Sequence, residues 1–482
     1  MTRARIGGAT LLLASVAIGF VALTLLRPVD HDESQYVAAA MLTAAGRLPY
    51  RDYAYLQTPL QPFLFAPVVW VAGLWTWPGL RIVNALLGVT AVAAVLRGAR
   101  AAGADARVAV TVAALFASCD ILLFSVAVAR NDALPVACFA IATALVAGRE
   151  RQGWRAVATG ALLALAAAAK ISYAVPAGML GVYALADRRE RPILLLAGAL
   201  PVAVFVAWTW WLSPAGFMFG TLDFPAHAPA QFYADRPWKM SLAAKLVDTL
   251  KFLALGAALP AVAIVARDAW RRRRPNALDM LLLGAIVAAL LPSPTWRQYL
   301  LPVLPPLFIR LAIIWQRPPG GGTRRTMAFF AMLGIGAGVA TTLTPGALHL
   351  LPAMRQADAA RRAMDAAGVT GPVATLSPQF LAATGRLPDA RFATGPFYYR
   401  SAGLLPPARE RALHLIARGR RVQAEAVLIG GEGPATAGDA TLDAALARAF
   451  GGTAIALPDS ALTLLVRTPR GRPAGSSAGA AE

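Results

Sequence analysis

Asp30, Asp32, Glu33 and Asp52 fall within one stretch, DHDESQYVAAAMLTAAGRLPYRDY, in a chain with 25 acidic residues against 46 lysines and arginines. Carboxylates gathered this way can take a proton from an attacking hydroxyl, bind substrate or ligate a cation. Asp32 opens a segment, 33–45, that reads as a helix stopped by Gly46. With Gln35 three residues on, Asp32 is expected to form an Asp-x-x-Gln capping box. A carboxylate fixed at a helix start is rigid, as a general base must be. Glu33 is expected to bind substrate or to stand exposed. Asp52, in YRDY, is either a second functional acid or a loop acid paired with Arg51.

Further chemistry-bearing residues follow at wide spacing: Asp132 in ARNDALPV, Lys170 in AAAAKISYAVP, and Arg297 and Tyr299 in RQYLLPVLPPL. Each has a plain structural reading beside the functional one. Asp132 would cap the helix that starts beside it. Lys170 would snorkel to the surface, and Arg297 would anchor at the interface. Asp223, His227, Asp235 and Arg236 read as solvated loop residues.

The elements that must position these residues are membrane helices. The chain is 57% hydrophobic over 482 residues, with a mean hydropathy of +0.56. Apolar runs of about 17–25 residues recur, each long enough to span a bilayer. The first, 6–26, is too long for a signal peptide and lacks a small-residue cleavage site, so it reads as a retained anchor. The net charge of +21 does not indicate nucleic acid, because the basic residues sit in short clusters between apolar runs. The two cysteines lie in apolar segments, and the four histidines lack metal-ligand spacing.

Six clusters carry the positive charge: Arg3/Arg5; Arg97/Arg100/Arg107; Arg149/Arg151/Arg155; Arg188/Arg189/Arg191; Arg267 with 271–274; and Arg317/Arg324/Arg325. The positive-inside rule puts all six in the cytoplasm. Five out-and-back helix pairs then join them (7–26 and 79–97, 107–125 and 132–148, 156–170 and 172–187, 192–212 and 246–266, 277–292 and 299–316), and 326–345 exits. That makes about eleven crossings, with a turn at Lys170. The run 61–77, with Trp70, Trp75 and Trp77, is expected to lie in the outer interface. The external loops would be 27–78, 126–131, the Lys170 turn, 213–245 and 293–298, so the chemistry-bearing residues share one face. Ionisable groups at membrane depth are costly and mark function.

The expected fold is thus mainly α: a polytopic transmembrane domain over 1–345, with its catalytic loop at 27–78. A small external α/β domain follows over 346–468, with an amphipathic helix at 355–367, strands near 373–376, 426–429, 453–456 and 462–466, and helices near 408–418 and 439–450. A Gly/Ser/Ala-rich tail, 469–482, reads as disordered.

The pattern Asp32, Glu33, Tyr36, then Gly46, Pro59 and Leu60, resembles the first external loop of GT-C glycosyltransferases, in particular the family 39-like branch of protein O-mannosyltransferases and aminoarabinose transferases. Asp132, the Lys170 segment and Arg297-x-Tyr299-x-x-Pro302-x-x-Pro305 are similar to later segments of that family, although Ile171 stands where its glycine is usual. The resemblance covers about 1–315. It implies transfer of a hexosyl or pentosyl group from a polyprenyl-phosphate sugar to a lipid, glycan or protein acceptor, with inversion. Lys170, Arg297 and Tyr299 would bind the donor phosphate. Asp32 would be the base, with Glu33 and Asp52 as further catalytic acids, and Asp132, Tyr36 and Tyr53 would contact substrate. The resemblance also implies that the 213–245 loop covers the site, with Phe232, Tyr233 or Trp238 touching an acceptor. A divalent metal is left open, and no nucleic acid is expected. The setting implied is a bacterial inner membrane, with the N-terminus cytoplasmic and both active site and C-terminal domain outside. Rival readings are a flippase or transporter of lipid-linked sugars and a non-catalytic scaffold.

Overall fold

The computed structural model describes residues 7–148, 152–272, 274–316, 319–401 and 403–467. The arginines expected at positions 3, 5, 149, 151, 273 and 317, and the expected tail 469–482, lie outside the described residues.

Helices dominate, since in hydrocarbon each backbone N–H and C=O must be bonded within its own segment. They run α1 Gly8–Leu26, α2 Glu33–Ala44, α3 Leu60–Ala72, α4 Thr76–Ala101, α5 Ala106–Ala117, α6 Asp120–Val126, α7 Ala133–Ala147, α8 Gly153–Ala169, α9 Ala174–Ala186 and α10 Pro192–Leu212. Short α11 Pro214–Met218 and α12 Phe224–Phe232 lead to α13 Leu242–Ala254, α14 Ala258–Arg271 and α15 Ala277–Leu290. A 3-10 stretch, Arg297–Val303, opens α16 Leu304–Trp315, and α17 Gly321–Thr342 follows.

Among the described residues four stretches are long and apolar enough to cross a membrane: Gly8–Leu26, Leu60–Ala101, Pro192–Leu212 and Arg297–Trp315. Two more qualify if bent pairs count as one span, α5 with α6 (66°) and α13 with α14 (101°). Four further apolar helices are shorter. The expected spans 107–125 and 246–266 are therefore broken helices. Their breaks meet: the Asp120 N–H donates to Leu255 O at 2.9 Å. Gly256, at φ +136°, presses on Cys119, where an added Cβ would stand 2.7 Å from the Cys119 Cα. The bend frees α6 to carry Asp120 and Phe124 away from the line of α5. At Lys170 the chain does leave helical geometry, with φ −154° and ψ 120° between α8 and α9.

The run 61–77 passes through a 3-10 turn, Gly73–Trp75, into α4. Trp70 and Trp75 are exposed, as an interfacial position requires. Trp77 is not: it is fully buried, edge-on to Phe380 at 5.4 Å, covered by the C-terminal segment rather than by lipid headgroups.

Helices α8 and α10 touch backbone to backbone through two glycines. A Cβ on Gly160 would lie 1.9 Å from Leu195 O, and one on Gly198 would lie 1.9 Å from Val157 O. Small residues allow such close crossings, which supply packing where the hydrophobic effect does not. Gly198→Val is expected to force the pair apart and lower the melting temperature of the purified protein in scanning fluorimetry; an unchanged transition would show that the crossing is slack.

The C-terminal segment begins with α18 Leu350–Ala366 and adds α19 Pro396–Arg400, α20 Pro407–Ala412 and α21 Ala440–Phe450. Its strands are β1 Val373–Ala374, β2 Ala426–Ile429, β3 Thr453–Ala456 and β4 Thr463–Val466, in the order β1-β2-β4-β3. β1 pairs parallel with β2, and the other pairings are antiparallel, with Val466 opposite both Ala426 and Thr453. This segment shares a core with the first loop: Leu350, Ala357 and Phe380 cluster with Val29, Val37, Met41 and Trp77. The Val29 N–H also donates to Leu348 O at 2.7 Å. The acid-bearing loop is thus held between α4 and the α/β segment.

Candidate active site

One buried ion pair locks the loop. Glu33 and Arg81 have fully buried side chains. Arg81 Nε donates to Glu33 Oε1 at 2.7 Å, and its Nη2 reaches the other carboxylate oxygen. Arg81 also donates to the carbonyls of Thr24, Arg27 and Pro28 at 2.9, 3.1 and 3.2 Å, holding the end of α1. Glu33 Oε1 accepts from Trp77 Nε1 at 3.0 Å and from the Ala129 N–H at 2.7 Å. The expectation that Glu33 binds substrate or stands exposed is corrected here: its carboxylate is sealed, and its bonds tie α1, α2, α4 and the loop before α7 together.

That tie places Arg130 among three acids. Its Nη1 lies 2.6 Å from Asp32 Oδ2 and 3.4 Å from Asp30 Oδ2, and its Nε lies 3.3 Å from Asp132 Oδ2. Asn84 pins the same loop by donating to Val128 O and Arg130 O at 2.7 and 2.8 Å. Lys170 hydrogen-bonds the other oxygen of Asp132 and lies 5.7 Å from the centre of the Tyr299 ring. The expected caps do not form. Neither Asp32 nor Asp132 bonds its helix N-terminus. Instead Asp30 Oδ1 accepts the Asp32 N–H at 2.9 Å, leaving the Asp32 carboxylate to Arg130 and to His31 Nε2 at 3.1 Å.

Beside this cluster, three guanidinium groups surround the Phe124 ring: Arg297 at 3.9 Å, Arg27 at 4.8 Å and Arg130 at 5.1 Å from its centre. Arg297 pairs with the buried Asp120 at 3.0 Å. Arg27 is 5% exposed, and among the described residues its Nη1 has no hydrogen-bond partner. A buried, unpaired N–H of a charged group is expensive unless a ligand completes it. Gathered around one aromatic ring, three guanidinium groups make a concentration of positive charge suited to an oxyanion.

Of the residues expected to act, the structure therefore brings together Asp32, Asp132, Lys170 and Tyr299, with Arg297 joined to the group through Phe124. Tyr36 and Tyr299 lie close enough to Arg130, Asp32 and Asp132 for their charges to act on both phenols. Asp52 stands apart: it pairs with Arg51 at 2.7 Å and accepts the Leu48 N–H at 2.8 Å, a turn of its own. Tyr53 is fully buried, its hydroxyl bonded to Thr43 Oγ1 at 2.8 Å and donating to Ala39 O at 3.2 Å. Sequence reasoning missed Arg27, His31, Arg81 and Arg130. Arg130 stands two residues before Asp132 and His31 stands between Asp30 and Asp32, and those adjacencies were the available signal; nothing local marks Arg27 and Arg81.

The C-terminal segment also reaches the site. His31 lies 6.4 Å from the Phe397 ring centre, and Arg400 and Glu432 are near enough to interact with His31 or Asp32. Burial alone would lower the His31 pKa, but Asp32 and Asp30 outweigh it and raise it to about 9. Burial likewise works against an ionised Asp32, yet Arg130 and His31 hold its carboxyl well below the usual range. Burial, then Asp443, push Glu432 up to about 7. The protonated His31 thus stabilises the fold fully below its ordinary value of 6.5 and loses that contribution as pH rises through about 9. The melting-temperature gap between the native protein and His31→Gln is expected to shrink over that interval; a gap constant with pH would remove His31 from the charged cluster.

Asp30, His31 and Asp32 offer ligand atoms within 4.8 Å of one another, a geometry that a divalent ion could be thought to fill. The fit fails, because the Arg130 guanidinium already contacts both carboxylates and His31 is turned to Asp32. The Arg130 guanidinium already neutralises the two carboxylates that a cation would need.

A bundle of broken apolar helices, with acids on the loop after its first helix and cations converging on them, supports a GT-C-type membrane glycosyltransferase. Residues 55–294, just under half of the chain, match the model of Glycosyltransferase family 87. That match includes Arg130, Asp132 and Lys170 but ends before Arg297 and begins after Asp32. ArnT from Cupriavidus metallidurans bound to undecaprenyl phosphate is 15% identical, aligned over 97% of this chain and 99% of that one with a TM-score of 0.64. The apo state of the same protein is 16% identical over 95% and 97%, with a TM-score of 0.57. The protein O-mannosyltransferase Pmt1-Pmt2 complex of S. cerevisiae, bound to the sugar donor, is 16% identical over 44% of this chain and 35% of that one, with a TM-score of 0.37. No curated protein matches in sequence. The chain has the ArnT fold, while the matching family model is family 87, so the expected family 39-like label holds only in part.

Proposed function

We propose that the protein transfers a sugar from a polyprenyl-phosphate-linked donor to an acceptor, with inversion, at the outer face of a bacterial cytoplasmic membrane. The observation that carries this reading is the meeting of a base with an anion site. Arg130 holds Asp32 at 2.6 Å and shares the Phe124 ring with Arg27 and Arg297. The undecaprenyl phosphate bound by the ArnT structure is a ligand of the matching chemistry. A topology with the N-terminus inside and the acids and C-terminal segment outside fits the arginine distribution.

In this reading the donor phosphate lies against Arg27 and Arg297, with Lys170 alongside. The acceptor hydroxyl oxygen attacks the anomeric carbon from the opposite face. The new C–O bond forms as the bond to the phosphate oxygen breaks, and the polyprenyl phosphate leaves with the electron pair. The hydroxyl proton passes to Asp32. Before the donor binds, Arg130 and His31 make Asp32 a weak base; a phosphate that draws Arg130 toward itself restores the basicity. The cations stabilise the leaving charge where little water competes. Glu33 and Tyr53 are structural in this scheme, and Asp52 shapes its own turn.

The test is transfer of radiolabelled sugar from polyprenyl-phosphate donors by the purified protein into membrane lipid and glycan fractions. Label in a product supports the reading. Donor carried across liposomes without transfer would instead make the protein a flippase. Arg27→Gln is expected to weaken undecaprenyl phosphate binding by about tenfold to a hundredfold, since a hydrogen bond to a charged group is worth ~1.5–3 kcal/mol. Equal affinity in the variant would move the phosphate off the Phe124 face.

A further inference from the structure

Arg400, at the end of α19, reaches the site from the C-terminal segment. Its guanidinium is stacked between two rings from separate parts of the chain, 4.6 Å from the centre of Phe232 and 4.8 Å from that of Phe397. Its charge acts on Asp32, His31 and Glu432. Yet among the described residues no carboxylate stands within ion-pairing distance of it, whereas Arg27's neighbour Arg297, Arg81 and Arg130 all have acids in contact. The aromatic surface continues from Phe232 to Tyr233 (4.9 Å) and on to Trp296 (6.3 Å), the residue before Arg297. A series of rings thus leads from Arg400 to Trp296, which adjoins Arg297 in the chain.

A partly buried arginine held in place by two rings and given no acid is a cation kept for a ligand. The phosphate of the proposed donor already has Arg27 and Arg297. Arg400 belongs to a different segment and approaches Asp32 with the C-terminal domain, so it is set to meet the other substrate. We propose that Arg400 binds a phosphate or carboxylate group on the acceptor, and that the acceptor is therefore an anionic molecule whose body lies along Phe232, Tyr233 and Trp296. This rests on the transferase reading above, and it gives the C-terminal domain a role: it carries half of the acceptor site. Burial works against the charge on Arg400, with Asp32 and Glu432 acting in the opposite sense, so an added anion nearby would relieve that penalty.

The binding test uses decyl phosphate, an alkyl phosphate monoester small enough for either anion site, titrated into the full-length protein in neutral detergent. The native protein is expected to bind two equivalents, one displaced by undecaprenyl phosphate and one not. Arg400→Gln is expected to lose the undisplaced equivalent and to keep undecaprenyl phosphate binding, which also reports that the variant is folded; Arg400→Lys should restore part of it. Loss of the undecaprenyl-competed equivalent would assign Arg400 to the donor and overturn the proposal, as would two equivalents retained in Arg400→Gln. A second arm reads the transfer product: labelled product is expected to be retained on an anion exchanger even after the donor lipid is removed, and a neutral product would overturn the acceptor assignment. Absence of transfer with the second binding equivalent intact would count against the transferase reading and leave the Arg400 anion site standing.

Discussion

Asp32→Asn is expected to abolish sugar transfer, by a factor of about 10²–10⁴, the range that a positioned general base contributes. The substitution keeps the shape of the side chain and removes only the charge and the proton affinity. Arg130 retains Asp30 at 3.4 Å and Asp132 at 3.3 Å, so the guanidinium is not stranded. His31 loses its nearest acid, and its pKa should fall from about 9 toward its ordinary value. The fold and donor binding should therefore survive, and undecaprenyl phosphate affinity is the control that separates loss of chemistry from loss of structure. Full activity in purified Asp32→Asn would sink the assignment and turn attention to Asp30, whose side chain is 18% exposed and faces the same arginine. Asp132→Asn is a different experiment: that residue has no exposed surface and neutralises both Lys170 and Arg130, so its loss disturbs the cations rather than the base.

The legible part of this site was the part written locally. Three acids crowded after an apolar run stood out because the chain is short of acids, and the break at Lys170 followed from arginine clusters on both flanks. The strands near 426–429 and 453–456 were short β-like runs beside glycine pairs, Gly430 and Gly431 after the first and Gly451 and Gly452 before the second. The partners were not legible. Asp30 and Arg130 are 100 residues apart, and Asp120 and Arg297 are 177 apart. An arginine beside an apolar run carries the same local signal whether it marks topology, the reading given to Arg97, or turns inward over a buried ring, as Arg27 does over Phe124. Asp32 as a helix cap was a sound local inference that lost to a tertiary one: a guanidinium at 2.6 Å outbids a backbone N–H for a carboxylate. Trp77 was misplaced for the same reason, since an aromatic at a helix start suits the interface unless another segment covers it.

Glu33 is the sharpest case, because its carboxylate is sealed against Arg81 while that of its neighbour, the proposed base, faces the cation cluster. Glu33→Gln is expected to cost ~3–5 kcal/mol, the usual penalty for leaving one member of a buried ion pair uncompensated. Arg81 would remain fully buried with three carbonyls to satisfy but no counter-charge. The Ala129 N–H would lose a charged acceptor one residue before Arg130, and the end of α1, beside Arg27, would hang on an arginine no longer held by its acid. Transfer is therefore expected to fail in Glu33→Gln as in Asp32→Asn, but together with a lower melting temperature and weaker undecaprenyl phosphate binding. The double variant Glu33→Leu/Arg81→Met decides between a pair that is needed for its charge and one that is needed for its closure. Replacing both members with apolar residues of similar size removes the stranded charge, so the double variant is expected to melt above either single one. A double variant as unstable as the singles would mean that the bonds to Ala129 and the α1 carbonyls, rather than the ion pair itself, hold the loop against the bundle.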